Sequence, residues 1–146
     1  MLVELAVGDA YGAGFEFRNT LYVRAFNRVD RRRRPALALS GGGRYTDDTQ
    51  MTIAITEAIL TDDPWTPELI AAHFVRAFQR DPRTGYAPGF HRFLRSVSNA
   101  EDFLTRIRPT SDRSGAAMRA EPVGLHPDIA TVLERAEIQA RVHPRH

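Results

Sequence analysis

Two adjacent carboxylates flanked by hydroxyls, Thr46-Asp47-Asp48-Thr49, open a strongly apolar helical stretch, DDTQMTIAITEAIL. Several hard oxygen donors within one turn suit Mg²⁺, Mn²⁺ or Ca²⁺ and not a soft metal. Successive helical side chains diverge by about 100°. Asp47 and Asp48 therefore reach two neighbouring ions more readily than they chelate one, which is the geometry of a two-metal site. A helix N-terminus repels cations, so the carboxylates would have to hold any metal there against the dipole. The same residues also read as ordinary capping, with Thr46 as N-cap and acids in the first turn.

Two further clusters carry chemistry. In Gly8-Asp9-Ala10-Tyr11-Gly12, followed by Glu16-Phe17, a continuous helix would put Asp9 and Glu16 about two turns apart on one face. The small residues would let a backbone or a ligand approach closely; they also suit plain helix packing. Ser111-Asp112-Arg113-Ser114-Gly115-Ala116-Ala117-Met118-Arg119 is a loop of small residues. Its backbone amides can cradle a phosphate or diphosphate, with Arg119 complementing the charge. It has no Walker-type Lys and no preceding strand, and it also reads as a tight turn.

Helices must position these groups, because helical periodicity recurs along the chain and no alternating strand pattern appears. The fold class is all-α. Met51, Ile55, Ala58 and Ile59 form one stripe, widened by Ile53 and Leu60, and predict a buried helix after Thr46. Thr66 as N-cap, Pro67 at the first position and Glu68 in the first turn start another, with Leu69, Ile70, Phe74, Ala77 and Phe78 as its apolar face. Asp81-Pro82 ends it. Shorter helices fit Gly89 to Val97 and Ala100 to Ile107, the second capped by Asn99. A last helix begins near Pro127 and carries Ile129, Val132, Leu133, Ala136 and Ala140 at helical spacing. Two loops, Ala38 to Tyr45 and Pro109 to Gly124, lie between, and Asn19 to Leu39 carries little pattern.

The 146 residues, 42% hydrophobic, fit one domain and are too few for two. No Cys is present, which excludes disulfides, thiolate metal sites and Cys nucleophiles. No run approaches the roughly 20 apolar residues that span a bilayer, and Met1 to Val7 lacks a basic leader, so no membrane role and a cytoplasmic location are expected. The net charge of +2 coexists with a pI of about 9.5 because every basic side chain is Arg. Arg is spread evenly, and the dense run Arg31 to Arg34 has no interleaved aromatics, so a nucleic-acid partner is not expected.

Taken in order, GDAYGAGFEF, RYTDDTQM and SGAAMRAEPVGL resemble the ADP-ribosylglycohydrolase family, including the dinitrogenase-reductase-activating glycohydrolases. Supporting similarity runs through Thr84-Gly85-Tyr86-Ala87-Pro88-Gly89-Phe90 and Ala136 to Pro144. The resemblance implies an irregular multi-helix bundle with a binuclear Mg²⁺ or Mn²⁺ site that cleaves the bond joining ADP-ribose to a protein side chain or a small molecule. It implies Thr46, Asp47 and Asp48 as metal ligands, with Glu16, Asp47 and Asp48 catalytic. Asp9, Ser114, Gly115, Ala116 and Arg119 would bind substrate. Where the family commonly has Gly-Asn-Gly, this chain has Arg113-Ser114-Gly115.

The family's remaining ligands lie in an Asp-x-Asp-Thr motif near the end of a domain about twice this length, and no Asp-x-Asp occurs in these residues. Residues 1–146 are therefore expected to be one incomplete domain, weakly active or inactive alone. Its partners would be an ADP-ribosylated substrate and a complementing C-terminal half or a second copy. Apolar surface on helices such as Thr46 to Leu60 is expected to be left bare. A nucleotide-binding module without catalysis, or a helical interaction protein, are the other readings of the same residues.

Overall fold

All regular structure among the described residues is helical, as the periodicity requires. The structure, a computed structural model, describes residues 1–27, 44–108 and 114–142. The Arg31 to Arg34 run, Gly41 to Gly43, and Ser111 to Arg113 lie outside them.

The core is built around two long helices, α3 (Asp47–Leu60) and α4 (Pro67–Arg80), numbered after α1 (Leu2–Gly12) and α2 (Thr20–Phe26). The start of α4 follows its capping signal: the Thr66 hydroxyl accepts from the Leu69 amide and Pro67 fills the first turn, a cap worth about 1 kcal/mol. Then come α5 (Pro88–Ser96), α6 (Ala100–Arg106) and α7 (Gly115–Met118). A 3₁₀ turn, Glu121–Leu125, precedes α8 (Ile129–Arg141). The Asn99 side chain caps α6 by accepting from the Asp102 amide. Phe74 of α4 and Phe103 of α6 are wholly buried, their ring centroids 6.3 Å apart. Burial of each such ring contributes about 2–3 kcal/mol.

Four expectations are corrected. The N-terminal helix stops at Gly12, and Glu16 sits in the turn after it. Gly12 and Gly14, two glycines in three residues, give the helix no reason to continue. Part of the stretch read as a loop from Pro109 to Gly124 is helical: it holds α7 and most of the 3₁₀ turn. α2 was not foreseen, although Asn19 caps it by accepting from the Tyr22 amide.

The fourth correction concerns apolar surface. α3 is covered by this chain's own α1, α4, α7 and 3₁₀ turn; Met51, Ile55 and Ala58 are at most 1% exposed, and of its apolar residues only the last, Leu60, is exposed. Bare apolar side chains occur elsewhere, at Val3, Val7, Phe17 and Leu21, and at Leu125, Ile129 and Leu133. α8 thus turns Ile129, Leu133 and Ala140 outward and packs through Val132, Ala136 and Gln139. Polar anchors set that rotation: the Trp65 indole donates to the Arg135 carbonyl at 3.1 Å, and Arg119 bonds Gln139.

Candidate active site

Three separated stretches of chain meet at one cavity of about 930 Å³. α1 contributes Leu5, Gly8, Asp9 and Gly12, and the following turn adds Glu16. The start of α3 contributes Thr46, Asp47 and Asp48. Ser114, Gly115 and Arg119 come from around α7. Two of the site residues expected from sequence are placed differently: Ala116 is off the cavity wall, its carbonyl accepting from the Gln139 side-chain amide at 2.9 Å, and Arg119 borders the cavity but is wholly buried, its guanidinium held on Gln139 and not offered to a substrate. A Cβ at Gly8 or Gly12 would meet no described atom of another element within 4 Å. These glycines leave the cavity open and do not serve helix packing there.

The first turn of α3 is held from two sides. Thr46 occupies the N-cap position, yet its hydroxyl does not cap the helix. It donates to Asp9 Oδ1 at 2.6 Å, and the other Asp9 oxygen accepts from the Thr46 amide (2.7 Å), the Thr49 amide (3.2 Å) and the Thr49 hydroxyl (2.6 Å). A carboxylate from α1 therefore caps α3, satisfying an orphan donor and opposing the positive end of the helix dipole. On the other side the Asp47 amide donates to the Thr84 carbonyl at 3.0 Å. Gly85 follows with φ +104°, and a Cβ there would fall 1.9 Å from Asp47 Oδ1.

Four carboxylates, Asp9, Glu16, Asp47 and Asp48, line this end of the cavity. Burial, and then the charge of Asp48, push the Asp47 carboxyl up to about 6. Asp48 is raised as well, by burial and then by Asp9 and Glu16. Charged side by side, these groups cost folding free energy that a nearby cation would offset. Thr46, Asp47 and Asp48 are the right chemical type for a hard divalent ion and fit one as part of a site. Among the described residues no group of three or more His, Cys, Asp or Glu is placed to hold a metal ion by itself.

The rest of the wall was not foreseen. Tyr86, Phe90 and Phe93 form an aromatic side, and Arg106 and Arg108 lie at the end of α6. Buried Gln50 joins α3 to its surroundings: its amide donates to the Ala77 and Asp81 carbonyls at 3.2 and 2.6 Å, and its oxygen accepts from the Tyr86 hydroxyl at 2.9 Å. A glutamine inside an apolar helical stripe was the available signal.

The profile of the ADP-ribosylglycohydrolase family matches residues 1–146. The chain belongs to the ADP-ribosylglycohydrolase family. It is similar to an uncharacterized protein of Archaeoglobus fulgidus, 31% identical over 144 residues, covering 97% of this chain and 47% of that protein. It is also similar to ADP-ribosylhydrolase ARH3 of Xenopus tropicalis, 25% identical over 151 residues, covering 92% of this chain and 41% of the other. Mouse ADP-ribosylhydrolase ARH3 is 26% identical over 149 residues, with 93% and 40% covered. The chain thus spans less than half the length of these ADP-ribosylglycohydrolase-family relatives. No helix among the described residues is long and apolar enough to cross a membrane.

Proposed function

We propose that this cavity receives the ADP-ribosyl group of an ADP-ribosylated protein or small molecule, and that the family reaction is hydrolysis of the bond at the anomeric carbon. The observation that carries this reading is the meeting of Asp47 and Asp48 with the Ser114-Gly115 turn in one cavity. The separation of function is electrostatic. The carboxylate end suits the reacting ribose, where positive charge develops as the bond breaks. The opposite end suits the diphosphate, because Arg106 and Arg108 line the cavity there together with Ser114 and Gly115.

In the reaction, water adds to the anomeric carbon, the glycosidic bond breaks, and its electron pair leaves with the acceptor group, which takes a proton. Glu16, Asp47 and Asp48 are the groups on this wall able to accept the water's proton. Mg²⁺ or Mn²⁺, two ions by resemblance to the family, would be held by Thr46, Asp47 and Asp48 and would orient the ribose hydroxyls and polarise the attacking water. Three donors from one turn leave most of the coordination of two ions to water, so the chain alone is proposed to be weakly active.

Calorimetry with ADP-ribose, with and without Mg²⁺, tests the reading. Binding that tightens with Mg²⁺ is expected, together with slow release of ADP-ribose from an ADP-ribosylated arginine substrate. Equal binding without metal and no release would make the chain a nucleotide-binding module. Release at rates ordinary for enzymes, about 1–10³ s⁻¹, would overturn the proposed weakness.

A further inference from the structure

We propose that Asp9 is a positioning residue that fixes the Thr46 hydroxyl as an acceptor-only oxygen on the cavity wall; this rests on the metal site proposed above. The warrant is proton placement. The Thr46 hydroxyl donates to Asp9 Oδ1 at 2.6 Å, and a hydroxyl has one proton to give. The hydroxyl proton must therefore point at Asp9, and what remains for the cavity is the oxygen's lone pairs. An oxygen free to rotate would spend part of its time presenting a proton to a cation.

Asp9 cannot turn away, because its other oxygen is engaged by the Thr46 amide and by both the amide and the hydroxyl of Thr49. Fully occupied in this way, Asp9 is poorly suited to bind an ion itself. Its contribution goes through Thr46.

Asp9→Asn tests this with little change of shape. The carboxamide oxygen can keep the three bonds from Thr46 and Thr49, while its NH₂ faces Thr46 Oγ1 and donates to it. The hydroxyl proton then turns toward the cavity. Loss of such a hydrogen-bond partner behind a ligand costs about tenfold in cation affinity.

The experiment is a double-mutant cycle in Mn²⁺ binding, followed by calorimetry and by the electron spin resonance of free Mn²⁺. Wild type is compared with Asp9→Asn, Thr46→Val and the double variant, and melting temperatures are recorded for all four. Asp9→Asn and Thr46→Val are each expected to lose about tenfold, and the double variant no more than Thr46→Val alone. Thr46→Ser, which keeps the hydroxyl, is expected to retain the affinity. Additive losses of about a hundredfold would show that Asp9 acts through its charge alone and overturn the proposal. So would an Asp9→Asn chain that melts earlier but binds Mn²⁺ like wild type, since the role would then be structural only. A Ser variant as weak as the Val variant also overturns it. Wild type that takes up no Mn²⁺ overturns this proposal together with the metal reading, whereas wild-type binding with additive losses overturns this proposal alone.

Discussion

Gly85→Ala is expected to lower stability by about 2–3 kcal/mol and to weaken divalent-cation binding more than tenfold. Two costs combine. At φ +104° an L side chain is strained, typically by about 1–3 kcal/mol. The new Cβ would also fall 1.9 Å from Asp47 Oδ1 and 2.9 Å from Thr46 Cβ. The carboxylate can swing aside, whereas Thr46 Cβ is tied to the backbone of the same turn, so the loop or the start of α3 must move. Urea denaturation reads the first effect and Mn²⁺ titration the second. A variant that loses stability but keeps its cation affinity would show that the strain is relieved without disturbing Asp47.

Gln139→Leu is expected to cost about 3 kcal/mol, more than most single deletions of a polar side chain. Arg119 is wholly buried, with Nε on Gln139 Oε1 and Nη2 on the Gln139 carbonyl, both at 2.8 Å. Its Nη1 has no partner among the described residues. The guanidinium also lies 4.6 Å from the centre of the Phe74 ring. Burial pushes its pKa down to about 9, so it is still charged at neutral pH. Removing Oε1 leaves a second nitrogen of a buried cation unpaired, and that desolvation is the expensive part. The double variant Arg119→Met/Gln139→Leu removes the charge with its partner and is expected to recover most of the loss. Denaturant midpoints at neutral pH decide it: a double variant as unstable as the single would place the cost in packing and not in charge.

Much of this architecture was legible because caps and periodicity agree locally. Thr66-Pro67 and Asn99 mark helix starts by chemistry confined to a few residues, and α4 and α6 begin where those signals put them. The rotation of α8 was not legible. Its apolar spacing took in Ile129, Leu133 and Ala140 along with Val132 and Ala136; only the last two pack, a choice made by hydrogen bonds from Trp65 and Arg119, which are distant in sequence.

The site divides in the same way. Residue type located Asp47, Asp48 and the Ser114 turn, yet the cap on α3 comes from another helix. The Thr46 hydroxyl, which looked like a cap, is the donor in its bond to Asp9. Gly85 was visible only as part of a resembling stretch, because its positive φ and its closeness to Asp47 are properties of the folded backbone.

The Asp9 cap also sets a dynamic limit. α1 buries only Ala10 and leaves Val3 and Val7 exposed, so little apolar burial fastens it, while α3 beneath is tightly covered. Sub-global opening should therefore lift α1 before α3 unfolds. The Thr46 and Thr49 amides, which bond to Asp9, should then exchange with solvent deuterium well ahead of the Ile55 amide. Asp9 would cap α3 only while α1 is docked, which makes attachment of that helix a condition for an ordered start of α3.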